Sequence, residues 1–264
     1  MQDAWVHLQQ FTAARIALGR TGTAIPLSEM LSFRLAHANA RDAVYSLLDV
    51  SSLQSQCSGG FNLPVRLLQS QAPDRDIYLQ RPDKGRQLHA DAIATLSALP
   101  AEDLDKDIAF VVTDGLSAAA VNVHAFPLLS LVIPCLQEAG LSVAPIHLVA
   151  QGRVAVGDAV GALLRAKIVV VMIGERPGLS SPDSMGVYLT FNPQPGLTDE
   201  ARNCISNIRP EGLAYVPAAK KLVYLLQASL QQRLSGVQLK DLGAISNHQT
   251  GLISKHQFPN NSSE

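Results

Sequence analysis

Two stretches of this chain hold the residue types from which a ligand site could be built. They are Gly174-Glu175-Arg176-Pro177-Gly178-Leu179-Ser180-Ser181-Pro182-Asp183-Ser184 and Arg202-Asn203-Cys204-Ile205-Ser206-Asn207-Ile208-Arg209. The first follows directly on Lys167 to Ile173, an apolar run of strand length. A loop rich in Gly, Pro and Ser at the end of a buried strand lies where open α/β sheets hold their ligands. Two more loops belong beside them, 152–158 and Asp114-Gly115-Leu116-Ser117-Ala118. In the latter, Asp or Ser can cap a following helix and Gly permits a tight turn. It reads equally as a plain strand-to-helix turn or as an edge where backbone N–H groups meet a ligand.

Several chemistries are disfavoured. No strand is followed by Gly-x-Gly-x-x-Gly, and Gly152-Arg153-Val154-Ala155-Val156-Gly157-Asp158 has the wrong spacing and too bulky an interior for a pyrophosphate. The Gly-x-x-x-x-Gly-Lys-Ser/Thr loop is missing too. His37, His89, His124 and His147 show no ligand spacing with Cys, Asp or Glu, so a zinc site is not expected. What remains is a set of neutral hydrogen-bonding loops with few charges. They suit a large, amide-decorated, mostly neutral ligand better than a phosphate or a carboxylate. A corrin ring with its amide arms is such a ligand, although these residues alone do not single it out.

The elements that must position these loops fall into two parts. Residues 1 to about 100 read as mostly helical, with helical spacing from Leu27 to Val50, a loop from Ser51 to Gly60, a short extended piece at Asp76 to Leu79, and a helix from Pro82 to Pro100. From about 105, apolar runs at Ile108–Thr113, Val143–Val149, Ile168–Ile173 and Val187–Phe191 alternate with helical stretches at 116–120, 126–139 and 157–166. A strongly patterned helix runs from Pro217 to Leu234. Such alternation indicates βαβ units and a mainly parallel sheet. The stretch from Gly243 to Glu264 is polar and reads as a loose tail.

The formal net charge of −1 excludes a binder that relies on nucleic-acid phosphates. The longest clean apolar run, Ile168 to Ile173, is far short of the roughly 20 residues that span a bilayer, so no membrane segment is expected. Met1-Gln2-Asp3-Ala4-Trp5-Val6-His7 has neither a basic nor an apolar export region. Cys57, Cys135 and Cys204 are too few and too scattered for a disulfide framework and fit a reducing cytosol. The charged content is only 16%. It reads either as a surface partly given over to another subunit or as an Ala-rich composition.

The chain resembles the small (light) subunit of ethanolamine ammonia-lyase. The resemblance is carried by seven ordered blocks over roughly residues 14–237. They are Ala14 to Gly22, Leu35 to Val44, Tyr78-Leu79-Gln80-Arg81-Pro82-Asp83-Lys84-Gly85-Arg86, Asp114 to Ser117, Gly152-Arg153-Val154, Gly174 to Leu179, and Cys204-Ile205-Ser206-Asn207. It implies an α/β fold in which a helical segment (1–100) precedes a Rossmann-like, mainly parallel cobalamin-binding domain (101–242) and a polar tail (243–264). It also implies adenosylcobalamin as cofactor, held against a large TIM-barrel subunit in a hetero-oligomer. The reaction would be conversion of ethanolamine to acetaldehyde and ammonia by a radical route.

The positions matching the family's cofactor contacts are Val154, Glu175 and Cys204. Without the resemblance they read as a core valine, a carboxylate paired with Arg176 or Arg202, and a buried thiol. Substrate-contacting residues belong to the large subunit in this family, so no catalytic residue and no metal ligand is assigned here, and the chain is expected to be inactive alone. Asp-x-His-x-x-Gly is absent, which implies that cobalamin keeps its own dimethylbenzimidazole as lower ligand. A non-catalytic cobalamin-binding protein of the same fold is the alternative. The sequence starts without the longer leader of some family members, so cytoplasmic residence is expected and a bacterial microcompartment is left open.

Overall fold

A computed structural model of the chain describes residues 4–12 and 14–240; the tail expected from Gly243 to Glu264 and residues 1–3 lie outside them. The elements run α1 (Leu27–Tyr45), α2 (Val50–Phe61), β1 (Val65–Gln69), α3 (Arg75–Gln80), α4 (Pro82–Gly85), α5 (Ala90–Ser97), β2 (Ile108–Thr113), α6 (Ala118–Glu138), β3 (Ile146–Ala150), α7 (Val156–Leu163), β4 (Ile168–Gly174), β5 (Met185–Phe191), β6 (Arg202–Ile208) and α8 (Tyr215–Gln232).

Six strands form one sheet in the order β1-β3-β2-β4-β5-β6. The first four are mutually parallel, with Val111 opposite both His147 and Val171. β5 and β6 are antiparallel additions, with Tyr188 facing Val171 on one side and Cys204 on the other. The fold is therefore α/β with a mixed sheet, and the expectation of a mainly parallel one fails at β5 and β6. The physical reason is the connection 175–184, ten residues without a crossover helix; only an antiparallel neighbour can follow β4 so directly.

The sheet has one apolar layer on each face. On one side α2, α6 and α8 cover Phe110, Val112, Val170 and Met172. On the other, α5 and α7 cover Val111, Val149, Val169 and Val171. All residues of β2 and β4 are buried, which explains their unbroken apolar sequence.

Several elements differ from the sequence expectation, each for a local reason. The segment read as a loop at 51–60 is α2: Asp49 caps it by accepting from Ser52 N, and Leu53, Cys57 and Phe61 are buried at helical spacing. Gly60 sits where a Cβ would be 3.0 Å from the Phe126 ring. The extended piece expected at Asp76–Leu79 is α3, capped by Asp74 accepting from Ile77 N. β1 and β6 are edge strands; β1 is only five residues long with Leu67 exposed, and in β6 the exposed Cys204, Ser206 and Asn207 hide the alternation. The stretches 116–120 and 126–139 fuse into the single helix α6, with Pro127 and Pro134 inside it. α6 is long and apolar enough to cross a membrane by length and composition alone, although Asn122, His124 and its prolines leave it no clean apolar run in the sequence. Ten of its residues are buried, in the manner of a core helix.

β3 carries one conspicuous polar residue in this core. His147 is fully buried and neither ring nitrogen has a hydrogen-bond partner. Burial, helped by the nearby Arg66 charge, pulls its pKa down from 6.5 to about 4. The unfolded chain takes up this proton near pH 6.5, while the folded chain refuses it until about pH 4. The resulting stability is complete above pH 6.5 and is lost as pH falls through that window, by up to ~3 kcal/mol. Urea unfolding at pH 7 and pH 4.5 is expected to show this loss, and His147→Leu to lose correspondingly less; an identical acid response in the variant would show that other groups cause it.

Candidate functional site

The loops at the carboxyl ends of β2, β3 and β4 meet at one edge of the sheet. The helices following β2 and β3, α6 and α7, pack on opposite faces, so a crevice should open between the ends of these two strands. The chain fills that crevice itself. Asp114, buried at 1% exposure, accepts from Gln151 N (3.1 Å) and Gly152 N (3.2 Å). Burial pushes its pKa up, opposed by the Gln151 N–H and the Arg75 charge. Arg75, itself buried, donates to Gly115 O (2.7 Å) and to Val44 O at the end of α1 (2.6 Å). Its guanidinium lies 4.7 Å from the Tyr78 ring centroid, and that of Arg153 lies 4.6 Å from the same ring. Gly115 has φ +56°, and a Cβ there would come 2.3 Å from Gly174 O. The 114–118 segment is thus a packed turn, and the Ser117 hydroxyl donates to Pro182 O (3.0 Å) instead of capping α6.

The three residues singled out from sequence lie outside the crevice, on the α7 side of the sheet. Val154, half-buried in the turn between β3 and α7, packs against the same apolar cluster as Tyr188. Glu175 is the first residue beyond β4; its N–H donates to Ser184 O (3.0 Å), and its carboxylate accepts from Asn207 N at 3.2 and 3.3 Å. Cys204 lies on β6 opposite Tyr188, with its residue surface exposed. Burial of its sulfur pushes the thiol pKa up, so the thiol form prevails at neutral pH and the residue is a weak nucleophile. Gly186 links Glu175 to this group: a Cβ there would lie 3.0 Å from Glu175 Oε1 and 3.4 Å from the Tyr188 ring. Glu175, Tyr188 and Cys204 therefore share one face, and Val154 packs against the apolar layer on the same side of the sheet. The stretch 202–209 contributes as a strand, not as a loop.

Sequence reasoning passed over Tyr188, Asn207 and the pair formed by Asp158 and Arg202. The alternation of Gly186, Tyr188 and Thr190 along β5 was the available signal for Tyr188. Arg202 pairs with Asp158 and not with Glu175, both partners being buried. It also donates to Thr198 O and Leu197 O. Burial outweighs the Arg202 charge at Asp158 and pushes its carboxyl up to about 6.

These bonds hold the rim of a groove of about 970 Å³ between α5 and α7. Arg86, Arg153, Gln71 and Gln87 line it on one side, with Val154, Ala155, Ala159, Ala162 and Leu163 as an apolar wall and 195–199 as the rim. Of the three singled-out residues only Val154 lines the groove. Among the described residues no group of three or more His, Cys, Asp or Glu side chains could hold a metal ion. The arrangement can bind and orient through hydrogen bonds and apolar contact. It offers no nucleophile–base pair.

Comparison with known proteins gives concordant results. The family model described as ethanolamine ammonia-lyase light chain (EutC) matches residues 2–240. The small subunit of ethanolamine ammonia-lyase from Azotobacter vinelandii is 53% identical over 241 residues, covering 91% of this chain and 89% of that protein. The small subunit from Xanthomonas campestris pv. campestris is 54% identical over 241 residues, covering 91% and 88%. That from Pseudomonas putida is 52% identical over 240 residues, covering 90% and 88%.

The buried pair yields a prediction. Arg202→Ala leaves Asp158 buried without its cation and is expected to cost about 3–5 kcal/mol, read as a lowered urea midpoint. Arg202→Met combined with Asp158→Leu should recover most of that loss. A single variant as stable as the parent would show that the pair does not hold the rim.

Proposed function

The chain belongs to the ethanolamine ammonia-lyase light-chain family and is a subunit of an ammonia-lyase; on that premise we propose that it holds adenosylcobalamin against a large TIM-barrel subunit. The observation carrying this reading is the common face of Glu175, Tyr188 and Cys204, with Val154 packed against the apolar layer on the same side of the sheet. The donor set fits such a cofactor. Its groups are a hydrogen-bonding carboxylate, amides, hydroxyls and small apolar side chains, which suit a ring that brings its own cobalt and its own lower base. When bound, adenosylcobalamin supplies the carbon-centred radical that abstracts hydrogen from ethanolamine on the way to acetaldehyde and ammonia.

The residues of this chain have binding roles in that scheme. An ionised carboxylate has room for about four hydrogen bonds, and Glu175 gives part of that capacity to Asn207 N, leaving the remainder for amide N–H groups or ribose hydroxyls of the cofactor. Val154 offers backbone and apolar contact, and Cys204 fills the surface beneath the ring. Tyr188 supports both from below. The Rossmann-like character of residues 101–242 belongs to this proposal and is supported by the parallel strands β3, β2 and β4, to which β1 from the preceding segment adds a fourth.

A large partner is supported by α1. Only Ala43 of its 19 residues is buried, while Leu27, Met30, Leu31, Phe33 and Leu35 are exposed. An apolar set of this kind marks an association surface. The free cysteines suit a reducing cytoplasm, and enclosure within a bacterial microcompartment there is compatible with the same reading.

The direct test measures acetaldehyde formed from ethanolamine with adenosylcobalamin and the cognate large subunit, with this chain added or withheld. Activity is expected only with both chains. A well-formed complex without activity would overturn the ethanolamine assignment. Separately, Glu175→Ala is expected to weaken cobalamin binding about tenfold with assembly intact, as read by equilibrium dialysis and gel filtration. Loss of assembly instead would make Glu175 a structural bridge to Asn207.

A further inference from the structure

We propose that a second cavity, at the edge of the sheet opposite the candidate site, binds a small carboxylate with an apolar body, the head facing Arg233 and the body facing Leu141, Phe191 and Leu230. The cavity lies where β2 and β4 begin and β5 ends, with the last turns of α7 and α8 leading to it. Its volume is about 600 Å³, within the usual span of small-molecule sites. Leu141, Phe191 and Leu230 are half-buried and pack against the core beneath it, so the floor is apolar. The walls are tied together: Phe191 N donates to Ser235 Oγ (2.9 Å) and Asn192 N to Lys167 O (2.8 Å). A ligand would therefore meet a preformed site.

Charge decides the head group. Asp107 accepts at one oxygen from Lys167 Nζ (2.7 Å) and at the other from Ser142 N (2.8 Å) and Ser142 Oγ (2.7 Å). Burial would raise its carboxyl, but Lys167 and Ser142 outweigh burial and hold it below the usual carboxylate range. Arg165 pairs with Asp105 at 2.5 Å. Arg233 is exposed, lines the cavity and makes no ion pair among the described residues. Three cations thus face two carboxylates, and one positive charge is left over. A guanidinium fork matches carboxylate and phosphate alike. With a single charge to neutralise and an apolar floor below it, a monoanionic carboxylate is the better match than a dianionic phosphate.

Backbone conformation sets Arg233 apart from an ordinary surface arginine. It caps α8 in the left-handed region with φ +59°, and Arg165, just after α7, has φ +52°. Hydrogen bonds fix both turns, from Arg233 N to Ser229 O (2.8 Å) and from Arg165 N to Ala162 O (3.1 Å). Glycine is favoured at such caps because a Cβ is strained there. A basic residue elsewhere in the last turn would offset the helix dipole without that strain. The chain instead places a guanidinium on each of two strained caps, and both line the same cavity. Strain of this kind gathers at ligand clamps.

The test uses the complex of the full chain with its large subunit and hexanoate as probe, read by isothermal titration calorimetry. Hexanamide keeps the body and removes the charge; acetate keeps the head and removes the body. Hexanoate is expected to bind, and the other two at least about tenfold more weakly. Arg233→Gly removes the cation where glycine is unstrained. It should weaken hexanoate about tenfold while the urea midpoint of the chain stays level or rises. Arg233→Gln, which keeps a long side chain without the charge, should lose affinity to the same extent. Absence of hexanoate binding, equal binding of hexanoate and hexanamide, or unchanged affinity in either variant would overturn the proposal. None of these outcomes bears on the cobalamin reading.

Discussion

The constraint on which the rest of the structure depends is the burial of Asp114 between the ends of β2 and β3. A carboxylate removed from water must be surrounded by donors, or it becomes neutral or the site opens. Here the donors are the N–H groups of Gln151 and Gly152 in the turn after β3, with the Arg75 guanidinium from the start of α3 nearby. Satisfying one side chain therefore fixes the turn after β2, the turn after β3 and the start of α3 against each other. Arg75 extends the network to α1 through Val44 O, and its stacking partner Tyr78 passes it to Arg153. The turn that presents Val154 inherits its position from this network. A residue with no contact to the proposed ligand thus sets where the ligand-facing loop stands.

With the crevice filled, the proposed ligand surface lies elsewhere, on the flank that the mixed sheet leaves open. Parallel strands come with crossover helices that cover both faces. β5 and β6 arrive without such a helix on the α7 side, so this flank of the sheet keeps exposed residues such as Cys204 while the opposite flank is closed by α8. Glu175 stands at the junction, one residue beyond β4, where its backbone still follows the β4–β5 pairing and its side chain reaches β6. The two antiparallel strands make a covered fold into one with an open, neutral face. Arg202 secures the outer part of that face, because its bonds to Asp158, Leu197 and Thr198 tie β6 to α7 and hold the groove rim between them.

Legibility in the sequence followed burial. β2 and β4 are covered on both faces, so their identity is written in unbroken apolar runs that need no partner to interpret. β6 is covered on one face at an edge, and its polar residues read as loop. α2 was hidden by Ser and Gly content, since its stability comes from Leu53, Cys57 and Phe61 in the core and from the Asp49 cap, not from propensity. Among the site residues, the family blocks pointed to Val154, Glu175 and Cys204. Tyr188 and Arg202 could not be singled out because their roles depend on which strand lies beside which. The pairing of β5 with both β4 and β6 is a tertiary fact, and the change from parallel to antiparallel at Gly174 has no local marker beyond the shortness of 175–184.

The chemistry on this chain also explains why it needs a partner. Catalysis requires groups that stabilise charge or move protons at a reacting atom, and such groups come as pairs with displaced pKa values facing a shared cavity. Three of the displaced groups are buried and already engaged or enclosed: Asp114 is held by backbone N–H groups, Asp158 by Arg202, and His147 lies in the core beside the Arg66 charge. On the proposed cofactor reading, the surface around Glu175 and Cys204 would hold one side of a large ring and leave its other side uncovered. A radical reaction tolerates no water at its centre, so on that reading the missing wall would come from the larger subunit. The exposed apolar side of α1 is compatible with such a chain, and α1 is tied through Val44 and Arg75 to the same network that positions Val154.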